Sequence, residues 1–114
     1  MWKSLGYVTI DAAGTVHRAT ENQTDPAARL FCHAIMFQQT PGNTGRLAIG
    51  DESAHAVTFS STSLNVAVLE VPTANDVPVA TASIPMAQNG LDASQYYIDA
   101  EVNGDQCLVS VLIL

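Results

Sequence analysis

Three histidines, two cysteines and eleven carboxylates are the groups in this 114-residue chain with acid–base, nucleophilic or metal-binding chemistry to offer. His17, His33 and His55 fall in no HxH or HExxH spacing, so the chain carries no zinc signature. Cys32 adjoins His33, but neighbours on a strand point to opposite faces, so they make no nucleophile–base pair. Only a contact between Cys107 and His33 across two sheets would supply one. The cysteines stand 75 positions apart (107 − 32), which excludes CxxC redox and zinc motifs. Each lies in an apolar, strand-like run and reads as a buried reduced thiol acting as a small hydrophobe. His33, mid-strand, reads as a hydrogen-bonded structural residue rather than a ligand.

The carboxylates allow two readings. Asp99 and Glu101 share a strand face by period two, with Asp105 just past a turn. Such a set either binds calcium or forms the solvated face of an edge hairpin. The absence of an EF-hand loop favours the solvated face. Asp51-Glu52 reads as a solvated loop, and Gly42-Asn43-Thr44-Gly45 lacks the Lys and helix of a phosphate loop. Trp2, Tyr7, Tyr96 and Tyr97 either form a sugar-stacking platform or pack in the core and at interfaces. With only 6% aromatic residues, packing is the default. The sequence thus assigns no catalytic residue, metal ligand or cofactor.

Charge excludes a further class. Four Lys+Arg stand against eleven Asp+Glu, a formal net charge of −7, and no basic residue follows Arg46. Nucleic-acid binding needs clustered cations to displace condensed counterions, so neither nucleic acid nor anionic lipid is an expected partner. No run of about 20 apolar residues exists to cross a membrane. The N-terminal Met1-Trp2-Lys3-Ser4 has no signal-peptide character, and cytoplasmic synthesis is expected. Charged residues are only 13% of the chain, so a partner can cover much of its surface at little desolvation cost.

The elements that must position these groups are β throughout. Short Val/Ile/Thr/aromatic runs alternate with Gly, Pro, Asn and Asp, predicting a two-layer antiparallel β-sandwich or jelly roll of seven to eight short strands. Strands are predicted at Leu5–Ile10, Thr15–Ala19, Arg29–Gln38, Arg46–Gly50, Ala56–Phe59, Asn65–Val71 and Val79–Ile84. Leu91–Ser94 reads as one helical turn. Residues 1–28 form an expected N-terminal arm or peripheral hairpin, and 29–114 the sandwich. In Arg29–Gln38, alternation places Phe31, His33, Ile35 and Phe37 on one face and Leu30, Cys32, Ala34 and Met36 on the other. Tyr96–Val102 and Gln106–Leu114 flank Asn103-Gly104, the strongest short-range hairpin signal. The last of these strands is too apolar to leave a face or an edge in water, so it needs cover from its own sheets or from a neighbouring subunit.

Two segments carry a resemblance. The run Gly42-Asn43-Thr44-Gly45-Arg46-Leu47-Ala48-Ile49-Gly50-Asp51 resembles an N-x-G-x-hydrophobic-x-hydrophobic-G-D run of small β-sandwich virion proteins of tailed bacteriophages. In those proteins it follows a strand like Phe31 to Gln38. Gln95 to Gly104, followed by a final apolar strand, is similar to the stretch that closes their sheet. The resemblance covers about residues 29–114 and departs from the pattern in the Ala/Ser/Thr-rich middle, Ser53 to Pro85. It implies a capsid decoration (cement) subunit on the outer surface of the virion, made in the bacterial host cytoplasm, with the major capsid protein and further copies of itself (a dimer or trimer) as partners. It carries over no catalytic residue, so a structural protein rather than an enzyme is expected. The alternative is a tail-fibre, baseplate or carbohydrate-binding β-sandwich module. Candidate partner or self-association contacts are Trp2, Tyr7, Tyr96, Tyr97, Leu112 and Leu114.

Overall fold

The computed structural model describes residues 1–50, 65–71, 81–85 and 91–113, and these are all-β. The described strands are β1 (Trp2–Thr9), β2 (His17–Arg18), β3 (Phe31–Gln39), β4 (Leu47–Gly50), β5 (Asn65–Leu69), β6 (Thr81–Pro85), β7 (Leu91–Asp92), β8 (Tyr97–Ala100) and β9 (Gln106–Ile113). A single 3-10 turn, Ala93–Gln95, follows β7 where one helical turn is predicted, with Asp92 accepting from Ser94 N as its N-cap. The larger antiparallel sheet runs β1-β9-β3-β6, with β7 pairing the start of β3; the smaller runs β2-β8-β4-β5. They form the expected sandwich, with one core between them. Leu5, Val8, Ile35, Phe37, Val109 and Val111 from the larger sheet meet Leu47, Ile49, Leu69, Ile98 and Ala100 from the smaller. The predicted strand Ala56–Phe59 lies outside the described residues.

The apolar last strand finds its cover within the chain. β9 alternates: Cys107, Val109 and Val111 are buried toward the core, while Leu108, Ser110 and Leu112 are half-buried on the outer side. β1 lies along one flank and β3 along the other, so neither edge of β9 is free. The need for a neighbouring subunit's strand falls away.

Residues 1–28 differ from both forms expected of them. β1 pairs β9 from Trp2↔Leu112 to Thr9↔Gln106, and Leu5, Val8, Ile10 and Ala19 enter the core. β2 pairs β8 in the opposite sheet, through His17↔Ile98 and Arg18↔Tyr97, so β1 and β2 form no hairpin with each other. A lone two-stranded ribbon would leave Leu5, Val8 and Ile10 without a buried face, whereas the flank of β9 gives them one. Trp2 stays outside the core, 48% exposed.

Two further corrections come from local geometry. A bulge between Cys32 and Ala34 in the β3–β9 ladder shifts the alternation of β3. Cys32 therefore joins Ile35, Phe37 and Gln39 on the buried side, while Phe31 and His33 are exposed. The second correction is at Asn103-Gly104. The turn is there, closed by Asp105 N–H donating to Val102 O, but it joins β8 of the smaller sheet to β9 of the larger. A two-residue type I′ hairpin needs positive φ at both central residues, and only Gly104 has it, at +88°. The chain arches over the end of the sandwich instead. Gly104 N–H donates to Ile10 O, and Asp105 O accepts from Ile10 N.

Candidate functional site

Of the carboxylates of the 99–105 segment, Asp99 and Asp105 are buried and Glu101 is partly solvated, and among the described residues no group of His, Cys, Asp or Glu has metal-site geometry. Asp99 holds the 11–16 turn, while Glu101 and Asp105 both hold the 40–46 loop. Asp99, fully buried, accepts from Gly14 N and from Ala100 N, each at 2.9 Å. Glu101 accepts from Arg46 N at 2.8 Å and takes the guanidinium at both oxygens, 2.9 Å from Nε and 2.8 Å from Nη2. The hydrogen-bonded Arg46 holds the Glu101 carboxyl below the usual carboxylate range, and Glu101 in turn raises Arg46. Asp105, 5% exposed, accepts from Gly45 N at 2.9 Å and Thr44 N at 3.2 Å. For Asp99 and Asp105 solvation was the wrong expectation, because each satisfies N–H groups of a loop distant in sequence.

The same end of the sandwich explains the Asn43-x-Gly45 run. Asn43 donates through Nδ2 to the Gln39 side-chain oxygen and to Gln106 O, and its Oδ1 accepts from Gln106 N at 2.8 Å. Buried Gln39 donates onward to Gly45 O and Glu70 O, each at 3.1 Å. Gly45 is required by close approach: a Cβ there would sit 2.8 Å from Val102 Cγ2 and 3.0 Å from Glu101 Cβ. These residues work as a clasp between the 40–46 loop and the 101–106 arch. Gln39 escaped the sequence reading, since an amide in a strand carries no local signal of its network. Asp92 was missed as well. Burial alone would raise its carboxyl, but bonds from Leu30 N, Ser94 Oγ and Ser94 N, with Arg29 nearby, hold it low. Its place just before a helical turn is a legible cap signal.

The nucleophile candidates are dispersed. Cys32 and Cys107 are free and buried. Cys32 pairs with Ile113, and Gln39 with Cys107, so the thiols sit at opposite ends of the β3–β9 ladder. Six residues of strand (113 − 107) separate them, about 20 Å, too far for a disulfide. The Cys107–His33 contact fails for the same reason, and His33 is exposed in the bulge rather than held as a buried structural residue. Burial pushes the Cys107 thiol up to about 12 and raises Cys32, which Asp92 raises further. Neither is a thiolate near neutral pH. His17 Nδ1 bonds Glu21 Oε2 at 2.6 Å, one i,i+4 pair beside β2.

The four aromatic candidates do not make one platform. Tyr96 packs against the core, its ring 6.0 Å from that of Phe37, and burial raises its hydroxyl. Tyr97 lies on the smaller sheet beneath the Arg18 guanidinium, 5.0 Å from its ring centre. Trp2 and Tyr7 share the outer face of the larger sheet with Leu112, while Leu114 lies outside the described residues. Register arranges that face in rows: Trp2, Leu112, Ala34; then Ser4, Ser110, Met36, Ser83; then Tyr7, Leu108, Gln38, Thr81; then Thr9 and Gln106. No Asp, Glu, Lys, Arg or His is among them. Trp2 and Tyr7 are 48% and 53% exposed. This open, uncharged face is the candidate functional surface. The adjoining edge of β1 is partly closed, because Asn22 Nδ2 donates to Tyr7 O at 2.7 Å.

No family model, curated protein or solved structure matches the chain.

Proposed function

We propose that this protein is a structural subunit that works by being covered, and specifically a capsid decoration (cement) subunit on the outside of a tailed-bacteriophage shell. The observation that carries the reading is the outer face of the larger sheet, which exposes Trp2 and Tyr7 among half-buried Leu108, Leu112 and Met36 with no charge between them. A face of that kind costs little to desolvate and gains by burial. The net charge of −7 suits a position outside the shell, away from packaged DNA. The resemblance of the 42–51 and 95–104 segments to small virion proteins supplies the particular assembly. In this chain the matching residues Asn43, Gly45 and Glu101 serve architecture, as a protein without chemistry would use them.

The test is to strip the protein from purified particles, heat stripped and intact particles, and follow DNA release. A lower release temperature after stripping, restored by adding the protein back, is the expected result; anything that binds the assembled state preferentially shifts the equilibrium toward it. Equal temperatures overturn the reading. One observation favours a second reading, a carbohydrate-binding tail or baseplate module. The exposed rings of Trp2 and Tyr7 flank the hydroxyls of Ser4 and Ser110, the mixture that stacks on and bonds to sugars. A glycan-array signal lost in Tyr7→Ser would select it.

A further inference from the structure

We infer that the occupant of the larger sheet's outer face is a second copy of this chain, so that two sandwiches stack sheet on sheet about a two-fold axis. The inference rests on the reading above only in taking this face to be covered in use. Charge argues first. Each chain carries a net −7, so two copies repel across most orientations. The outer rows of this face carry no Asp, Glu, Lys or Arg, and the exposed His33 adjoins them only at the β3 bulge beside Ala34. Like-charged molecules approach there with their charges held at the periphery, at the least Coulombic cost.

Shape and size argue next. A two-fold axis running across the strands at the Ser4–Ser110–Met36 row lays the Trp2–Leu112 row of one copy over the Tyr7–Leu108 row of the other. The exposed aromatics then both find apolar partners, in the aligned sheet-on-sheet packing that antiparallel sheets already use. Four strands about 4.8 Å apart and seven residues at about 3.4 Å give a flat patch of roughly 450 Å² per copy. Side-chain relief raises the accessible area above that, so the pair buries on the order of 1,000 Å² in total, the threshold for specific association. A contact at that threshold predicts a reversible dimer with a micromolar dissociation constant rather than a permanent one. The partly closed β1 edge favours stacking over strand-to-strand addition.

The sign of the salt dependence separates this contact from an ion-paired one. Added salt screens the repulsion between two anionic copies and leaves the uncharged contact intact, so dimerisation strengthens with salt. Sedimentation of the full chain from about 1 to about 500 µM, at low and moderate salt, is the experiment, a range chosen to span a micromolar equilibrium. The expected result is a 12.0 kDa species at the dilute end and twice that mass at the concentrated end, with tighter association at higher salt. Leu108→Lys and Tyr7→Glu, each placing a charge on the face, should weaken dimerisation at least about tenfold, with circular dichroism and thermal midpoint near those of the parent.

A chain monomeric at every concentration overturns the inference. So do a trimer, a dimer unaffected by both substitutions, and association that weakens with salt. A monomer whose binding to particles is lost in the same two variants gives the face to the capsid, ending the second-copy inference while the decoration role stands. A monomer that binds a neutral glycan through this face overturns it in favour of the carbohydrate reading. A dimer disrupted by both variants, from a protein that leaves particle heat stability unchanged, keeps the inference and removes the decoration role.

Discussion

The outward sides of the two sheets obey the same alternation and meet opposite fates. On the larger sheet the outward residues of β1 and β9 remain accessible, with Trp2 and Tyr7 about half exposed. On the smaller sheet Ala48 and Asp99, register partners that point away from the core, are as inaccessible as any core residue. At Asp99 the difference is made by chain that never enters a strand, whereas Val68, the β5 partner of Ala48, stays 37% exposed. The 11–16 turn lies against the smaller sheet, with Gly14 N–H on Asp99 and Ala13 N–H on Asn103 Oδ1 at 2.7 Å. A strand pattern therefore says which residues face away from the core, but not whether they meet water. The larger sheet keeps its outward side bare, and the interface proposals follow from that.

The largest effect that sharpens this contrast is expected at Asp99. Replacing it with alanine removes the acceptor shared by Gly14 N–H and the buried Ala100 N–H and leaves a gap under the 11–16 turn, at a cost of about 3 kcal/mol. For a chain of this length that is a thermal midpoint lower by roughly 12 °C. A loss under about 0.5 kcal/mol, the level of an ordinary surface change, would mean that the smaller sheet's outward side is not truly built in.

A smaller effect, and one that depends on pH, is expected at Glu101. Its carboxyl is held below the reference value of 4.5, chiefly by its bonds to Arg46, so the native state favours the ionised form. The stabilisation is complete above about pH 4.5 and is lost as pH falls through the lower native value. Glu101→Gln should therefore flatten the acid limb of the stability curve. At neutral pH it should cost about 1 kcal/mol, modest because the pair is partly solvated. An acid limb identical to the parent's would remove the clasp as its source. The smallest effect belongs to the bare side: Tyr7→Ser and Ser110→Ala should each change monomer stability by no more than about 0.5 kcal/mol in denaturant titrations. A loss of several kcal/mol from either would show that the face is structural rather than open.

Much of the architecture is legible in the residues. Runs such as Leu47–Gly50 and Gln106–Ile113 are strands for local reasons, β-branching and alternation, and local reasons survive folding. Pairing is less legible. Asn103-Gly104 marks a turn, yet whether its flanks pair is decided by which sheet accepts each strand, and only Gly104 takes positive φ. The phase of β3 is lost at a single bulged residue, which no spacing rule anticipates. Trp2, Tyr7 and Leu112 can be named as contacts from sequence because they are large and apolar. Only the β1–β9 register puts them on one face, and only the packing against Phe37 turns Tyr96 inward. The clasp was illegible because its acceptors serve N–H groups more than 50 residues away, as Asp105 does for Gly45 across 60 positions.

The arch at Asn103-Gly104 also bears on how the protein ages. Asparagine followed by glycine is prone to spontaneous deamidation, in which the glycine nitrogen attacks the asparagine side-chain carbonyl carbon and ammonia leaves through a cyclic imide. Here that nucleophile is occupied, because Gly104 N–H donates to Ile10 O at 2.7 Å, while the Asn103 oxygen is held by Ala13 N–H. Ring closure requires the Gly104 bond to break and the held Asn103 side chain to turn toward the freed nitrogen, so its rate in the folded protein is set by the local opening of this end of the sandwich. Peptide mapping after alkaline incubation should find Asn103 converted to aspartate and isoaspartate quickly in the unfolded chain and slowly in the native one, making conversion at this one position a clock for how often the arch lets go.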